Sequence, residues 1–134
     1  MSDTMTFTTQ VEVPMSRVAD LLCCAFEGGI GYWACITGYV KPEDFGGTRC
    51  HFAGDDAPKY LDYPLSPYGA VLIEDAEDDG HKQYRLDLPA IQRGFKVMQQ
   101  QYPKHFANWL AENDDAITGD VFVQCCIFGD IIYG

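Results

Sequence analysis

A chain of 134 residues with 47% hydrophobic, 13% aromatic and 22% charged side chains has room for one core and not two, and is too apolar for a disordered or fibrous protein. Its 20 Asp plus Glu against 9 Lys plus Arg give a formal charge of -11, which opposes attraction to phosphates and speaks against direct nucleic-acid binding. No apolar run approaches the roughly 18 residues of a membrane span, so no membrane partner is expected.

Thr6 to Val13 places Phe7, Thr9, Val11 and Val13 on one face and Thr8, Gln10 and Glu12 on the other, the period of a half-buried strand. Pro14 ends it and Ser16 suits a helix N-cap. Val18, Leu21, Leu22 and Ala25 then fall at i, i+3, i+4 and i+7, a stripe that faces a core. Gly28 and Gly29 stop this helix. The run YWACITGYV, Tyr32 to Val40, predicts a second strand, bent or closely approached at Gly38.

Residues 41 to 68 hold Pro42, Pro58, Pro64 and Pro67 with Gly46, Gly47 and Gly54, which reads as a long irregular loop. Such a length without periodicity is more often functional, oligomer-forming or partly disordered than neutral. The loop carries Cys50, His51, Tyr60, Tyr63 and Tyr68. Ala70 to Ile73 and Gln83 to Leu86 follow as a hairpin around Asp79-Gly80, a turn dipeptide.

After Asp87 and Pro89, which suit a helix start, Ile91, Phe95, Met98 and Tyr102 recur at helical spacing, and Pro103 breaks the register. A shorter helix spans His105 to Ala111 with Phe106, Trp109 and Leu110. From Thr118 to Gly134, Val121, Phe122, Cys125, Phe128 and Ile132 fit one helical face, with Thr118 as N-cap and Asp120 near the positive end. The β-branched residues there, and the ending IIYG, leave a short closing strand as the alternative. The expected fold is α+β: one domain, 1 to 134, an antiparallel sheet of about four strands against three or four helices, ordered strand, helix, strand, hairpin, helices.

Candidate chemistry begins with FEGGIGYW, residues 26 to 33. Glu27 sits in the last turn of the first helix, where an acid is disfavoured by roughly 0.3 to 1 kcal/mol. A cationic partner, the amides of Gly28 and Gly29, or a ligand would compensate, and a solvated carboxylate is the plain alternative. Tyr32 or Trp33 could stack on a base or ring, but neighbours on a strand point to opposite faces, so at most one need face a ligand. Glu27, Gly28, Gly29, Tyr32 and Trp33 are the candidate ligand-binding residues.

Glu74, Asp75, Glu77, Asp78 and Asp79 put five acids into six positions. They read either as a solvated hairpin tip or as a partner-binding surface that imitates phosphates. Asp114, Asp115 and Asp120 form a second acidic group beside a helix start, where capping is the simplest role. His51, His81 and His105 have no metal-ligand spacing, and adjacency does not make Cys50 and His51 a catalytic pair. No metal, cofactor or catalytic residue is expected. Cys23-Cys24 and Cys125-Cys126 read as reduced core thiols, which fits a cytoplasmic setting.

FEGGIGYW near the front and YPKHFANWLAENDDAITGDVFVQCCIFGDIIYG at the end together resemble a group of small bacteriophage-encoded and prophage-encoded proteins with an EGGxxYW front and a TGDVFxQ...FGxIxYG tail. The matching positions are Glu27, Gly28, Gly29, Tyr32 and Trp33, then Thr118, Gly119, Asp120, Gln124 and Gly129. The resemblance assigns none of them a role. It implies a viral accessory protein in the bacterial host cytoplasm, where such proteins often counter host defence.

The leading expectation is a non-enzymatic anti-defence protein that sequesters a nucleotide-like signal, as a homo-oligomer or alone. It would need a local basic pocket from Arg17, Arg49, Lys82 or Arg93. The alternative is an acidic, anti-CRISPR-like inhibitor that binds a basic host defence protein.

Overall fold

The computed structural model describes residues 3–7, 10–113 and 115–134. Its elements run α1 (Met15–Cys24), β1 (Ala34–Val40), α2 (Lys59–Asp62), β2 (Ala70–Asp75), β3 (Gln83–Leu86), α3 (Leu88–Gln101), α4 (Pro103–Leu110) and α5 (Ala116–Phe128). The fold is α+β, with an antiparallel sheet of three strands in the order β1-β2-β3 where about four were expected.

The strand that does not form is the first. Described residues 3–7 and 10–13 adopt no strand, and Phe7 and Val11 are exposed. Thr8 and Thr9 lie outside the described residues. Alternation tells which side chains share a face, but a strand also needs a neighbour for its backbone hydrogen bonds. Val13 instead packs beside the helical core with Met15.

Helix α1 buries Val18, Leu21 and Leu22 as its spacing predicts, and Ala25 follows them inward. Its N-cap position is Pro14, and Ser16 lies inside the helix. Beyond α1 the chain widens into a turn at Ala25–Gly29, where Glu27 and Gly28 leave helical angles. Gly29 does more than stop a helix. A Cβ there would lie 2.6 Å from the Ala116 carbonyl oxygen, and one on Gly119 would lie 2.5 Å from the Ala25 nitrogen. The two glycines let α5 meet this turn backbone to backbone.

Strand β1 pairs with β2 from Ala34 opposite Asp75 to Val40 opposite Ala70, with a register shift between Ile36 and Gly38. The predicted bend is therefore a bulge. The β2–β3 hairpin forms as read, Val71 opposite Leu86 and Glu74 opposite Gln83. Its positive-φ residue is His81 rather than Gly80. Residues 41 to 68 are better anchored than an irregular loop: short 3-10 turns at Pro42–Phe45 and Tyr63–Leu65 flank α2, and Leu61 to Ser66 are buried without a break.

Helix α3 starts on Asp87, whose Oδ1 accepts from the Ala90 amide at 3.0 Å, and buries Ile91 and Met98. Helix α4 buries Phe106 and Trp109 and leaves Leu110 exposed. Helix α5 starts earlier than expected because Asp115, not Thr118, is its N-cap: Asp115 Oδ1 accepts from the Thr118 amide at 2.8 Å. Asp114 lies outside the described residues. Every residue from Thr118 to Cys126 is buried, so α5 is the central helix, enclosed on all sides rather than on one stripe. It ends at Gly129 in the left-handed region, φ 72°, and residues 131–134 continue without regular structure, so neither a longer helix nor a closing strand forms.

All six cysteines are free thiols; Cys125 and Cys126 are buried and Cys35 is exposed. No helix among the described residues is long and apolar enough to cross a membrane.

Candidate functional site

Tyr32 and Trp33 precede β1. Trp33 is fully buried and Tyr32 half exposed. Both reach Asp120 on α5: the Tyr32 hydroxyl donates to Oδ2 at 2.5 Å and Trp33 Nε1 donates to Oδ1 at 2.8 Å. Gln124, one turn further along α5 and so on the same face, donates from Nε2 to Asp120 Oδ1 at 2.9 Å. Among the described residues this buried carboxylate is held by three donors and no cation.

Gln124 then binds the tail. Its Oε1 accepts from the Ile132 and Tyr133 amides at 2.7 and 2.9 Å, and its Nε2 donates to the Tyr133 carbonyl at 3.1 Å. The Tyr133 ring stacks on Trp33 with centroids 5.5 Å apart, and Phe128 lies 5.4 Å from the same indole. The Tyr133 hydroxyl donates to Asp75 Oδ2 at 2.7 Å. The glycine-aromatic front, the tail and one acid of the hairpin are thus a single polar network around Trp33.

These placements correct two expected roles. Trp33 is enclosed and offers no face to a stacked ligand, and Asp75 is 3% exposed and occupied by Tyr133, so it does not present itself to a partner. Gly29 is buried against α5, and Gly28 and Glu27 are exposed. The compensation for Glu27 comes from side chains not considered for it: Tyr60 donates to Oε1 at 2.7 Å and the Cys23 thiol to Oε2 at 3.1 Å. The Tyr60 bond, then the Cys23 bond, holds the Glu27 carboxyl below its usual pKa, which offsets the unfavourable end of the helix dipole.

A second polar cluster lies in the 41 to 68 region. Asp62 is 1% exposed; its Oδ2 accepts from Arg49 Nε and Nη2, both at 2.8 Å, and lies 3.1 Å from His51 Nδ1. Oδ1 has no hydrogen-bond partner among the described residues. Arg49 also donates to the Ala57 carbonyl and sits over the Tyr63 ring. Ser66 donates to the Asp62 carbonyl at 2.6 Å and accepts from the Cys50 amide. His51 therefore engages Asp62, a partner that adjacency to Cys50 did not suggest. The cysteine's thiol meets the Thr48 carbonyl.

The chain matches no protein-family model, no curated protein and no solved structure. Among the described residues no group of three or more His, Cys, Asp or Glu could hold a metal ion. The four cations considered for a phosphate pocket are dispersed. Arg49 is on Asp62, Arg17 on the Trp109 carbonyl and Glu112, Lys82 over Tyr84, and Arg93 on α3.

The network predicts an alkaline signature. Burial, then the bond to Asp120, pushes the Tyr32 phenol up to about 12, and the bond to Asp75 does the same for Tyr133. A phenol whose folded pKa lies above its unfolded value of 10.0 stabilises the fold fully below pH 10 and ceases to as pH rises through about 12. Phenolate absorbance of the native chain should therefore retain tyrosines that titrate near pH 12, and Tyr32→Phe should remove one of them. Titration of every tyrosine near pH 10 would contradict the network.

Proposed function

We propose that this is a phage-encoded, non-enzymatic anti-defence protein that binds a basic host protein in the bacterial cytoplasm through its acidic β2–β3 turn. The observation that supports it is the way this turn is held. Glu77, Asp78 and Asp79 are exposed together, while Asp78 Oδ2 accepts from the Gly80 and Lys82 amides at 3.0 and 3.3 Å and Asp75 Oδ1 accepts from the Glu77 amide at 3.0 Å. Asp75 is itself tied to Tyr133. An acidic display with its backbone already fixed loses little freedom on binding, and the charge of -11 steers it toward cationic surfaces. Resemblance to phage proteins makes a host defence protein the expected partner. The nucleotide-sequestering reading needs Tyr32 or Trp33 for stacking and a basic pocket; Tyr32 is half exposed, but Trp33 is enclosed and the four cations are dispersed, so the acidic turn is the better supported surface.

The turn can be tested without unfolding it, because Asp78 does the internal capping and its neighbours do not. The double variant Glu77→Lys, Asp79→Lys should keep the native melting temperature yet lose a salt-sensitive complex with a host protein, and with it protection of phage in a defended host. Retention of both activities by the variant would overturn the proposal, as would saturable binding of a nucleotide with no protein complex.

A further inference from the structure

The turn between β2 and β3 is held in two unlike ways. Its Asp78 limb closes on itself: the Gly80 and Lys82 amides donate to Asp78 Oδ2, and the His81 amide donates to the Asp78 carbonyl at 2.9 Å. Its Glu77 limb is held from outside. The Ala76 amide donates to the Trp33 carbonyl at 2.8 Å, and the Glu77 amide donates to Asp75 Oδ1 at 3.0 Å. Asp75 is fixed in turn by the tail, because its Oδ2 accepts from the Tyr133 hydroxyl at 2.7 Å. The Tyr133 ring is stacked on Trp33, and its amide is held by Gln124 on α5.

We infer that Tyr133 is a positioning residue of the acidic turn, fixing its Glu77 limb from the tail through Asp75. The physical reason is the burial of Asp75. A carboxylate that is 3% exposed and loses the Tyr133 donor must regain one from water, and rotation toward water takes Oδ1 off the Glu77 amide. Glu77 then loses the bond that holds its backbone. The Asp78 limb makes its bonds within the turn and does not share this dependence. Glu77 carries one of the exposed carboxylates of the proposed binding surface, so the role of Tyr133 in binding rests on that reading: a side chain 58 positions away sets the shape of half the display.

Amide exchange with water, read residue by residue by NMR on the free full chain, tests this without a partner. Tyr133→Phe keeps the ring on Trp33 and the backbone bonds to Gln124, so it should fold normally. It should speed exchange at Glu77 about tenfold and change Gly80 and His81 less than about twofold. Asp75→Asn keeps an oxygen for the Glu77 amide and offers an N–H to the Tyr133 hydroxyl, and should leave Glu77 near its native rate. Asp75→Ala should speed Glu77 at least as much as Tyr133→Phe does, and adding Tyr133→Phe to it should change Glu77 no further. Native exchange at Glu77 in Tyr133→Phe would overturn the inference by showing that the turn holds itself. Equal acceleration at Glu77, Gly80 and His81, or a further acceleration in the double variant, would overturn it by showing a general loosening. These rates are read with no host protein present, so they fail independently of the proposed function, which the Glu77→Lys, Asp79→Lys variant tests.

Discussion

Asp120→Ala is expected to destabilise the fold by about 3 to 5 kcal/mol, read as a fall in denaturation midpoint at constant slope and a loss of about 10 °C or more in Tm. The carboxylate accepts from Tyr32, Trp33 and Gln124. Tyr32 is half exposed and its hydroxyl can turn to water, but the Trp33 indole and the Gln124 amide are buried and would each be left without one acceptor. Gln124 would retain its hydrogen bonds to the tail; Trp33 Nε1–H would be left with no acceptor among the described residues. Asp120→Asn separates this cause from simple loss of packing. With its oxygen in place of Oδ1 it still accepts from Trp33 and Gln124. Its amide replaces Oδ2, and the Tyr32 hydroxyl can turn from donor to acceptor. The cost should fall to about 1 kcal/mol. Equal losses for Ala and Asn would mean that Asp120 is not the acceptor described.

Asp62→Ala should cost about 3 kcal/mol, the lower end for breaking a buried pair, because the Arg49 side chain is 27% exposed and keeps the Ala57 carbonyl. Its signature differs from that of Asp120. Arg49 and His51 both tie the 41 to 58 segment to α2 through Asp62, so the variant should be cut by protease between Gly46 and Pro58 before the rest of the chain unfolds. Arg49→Lys, which keeps the charge and loses the forked donor, should show a milder form of the same cutting. Global unfolding with no early cleavage in this segment would refute the anchoring role of Asp62.

Helices were the legible part of this fold, because a stripe such as Ile91, Phe95 and Met98 announces both its period and its buried face. The hairpin was legible for a similar reason: its strands are local to one turn. The 6 to 13 segment shows the limit of periodicity, since alternation specifies a face and says nothing of whether a neighbouring strand exists. Helix α5 shows another, for a helix enclosed on all sides has no preferred stripe, and its cap lay three residues before the one expected.

The sites were harder for a different reason. The place of Glu27 at a helix end marks it as an acid in need of compensation, but Tyr60 lies 33 positions away, and only the closed chain brings the two together. Arg49, His51 and Asp62 sit within one region whose prolines and glycines were read as irregularity. The signal available there was a buried-looking run, Tyr60 to Leu65, with a lone acid inside it. Asp120 and Gln124 carried the corresponding hint, two polar residues one helical turn apart in an otherwise apolar segment.

The enclosed position of α5 has a consequence for how the protein is made. The helix that touches α1, α3, α4 and β3 follows all of them in sequence, and the tail that Gln124 and Asp75 hold follows it in turn. Until residues 116 to 133 are in place, α1 and α3 lack the helix against which both pack. Contacts of such long sequence separation slow folding, so the core should close in one late, cooperative step once residues 116 to 133 join it.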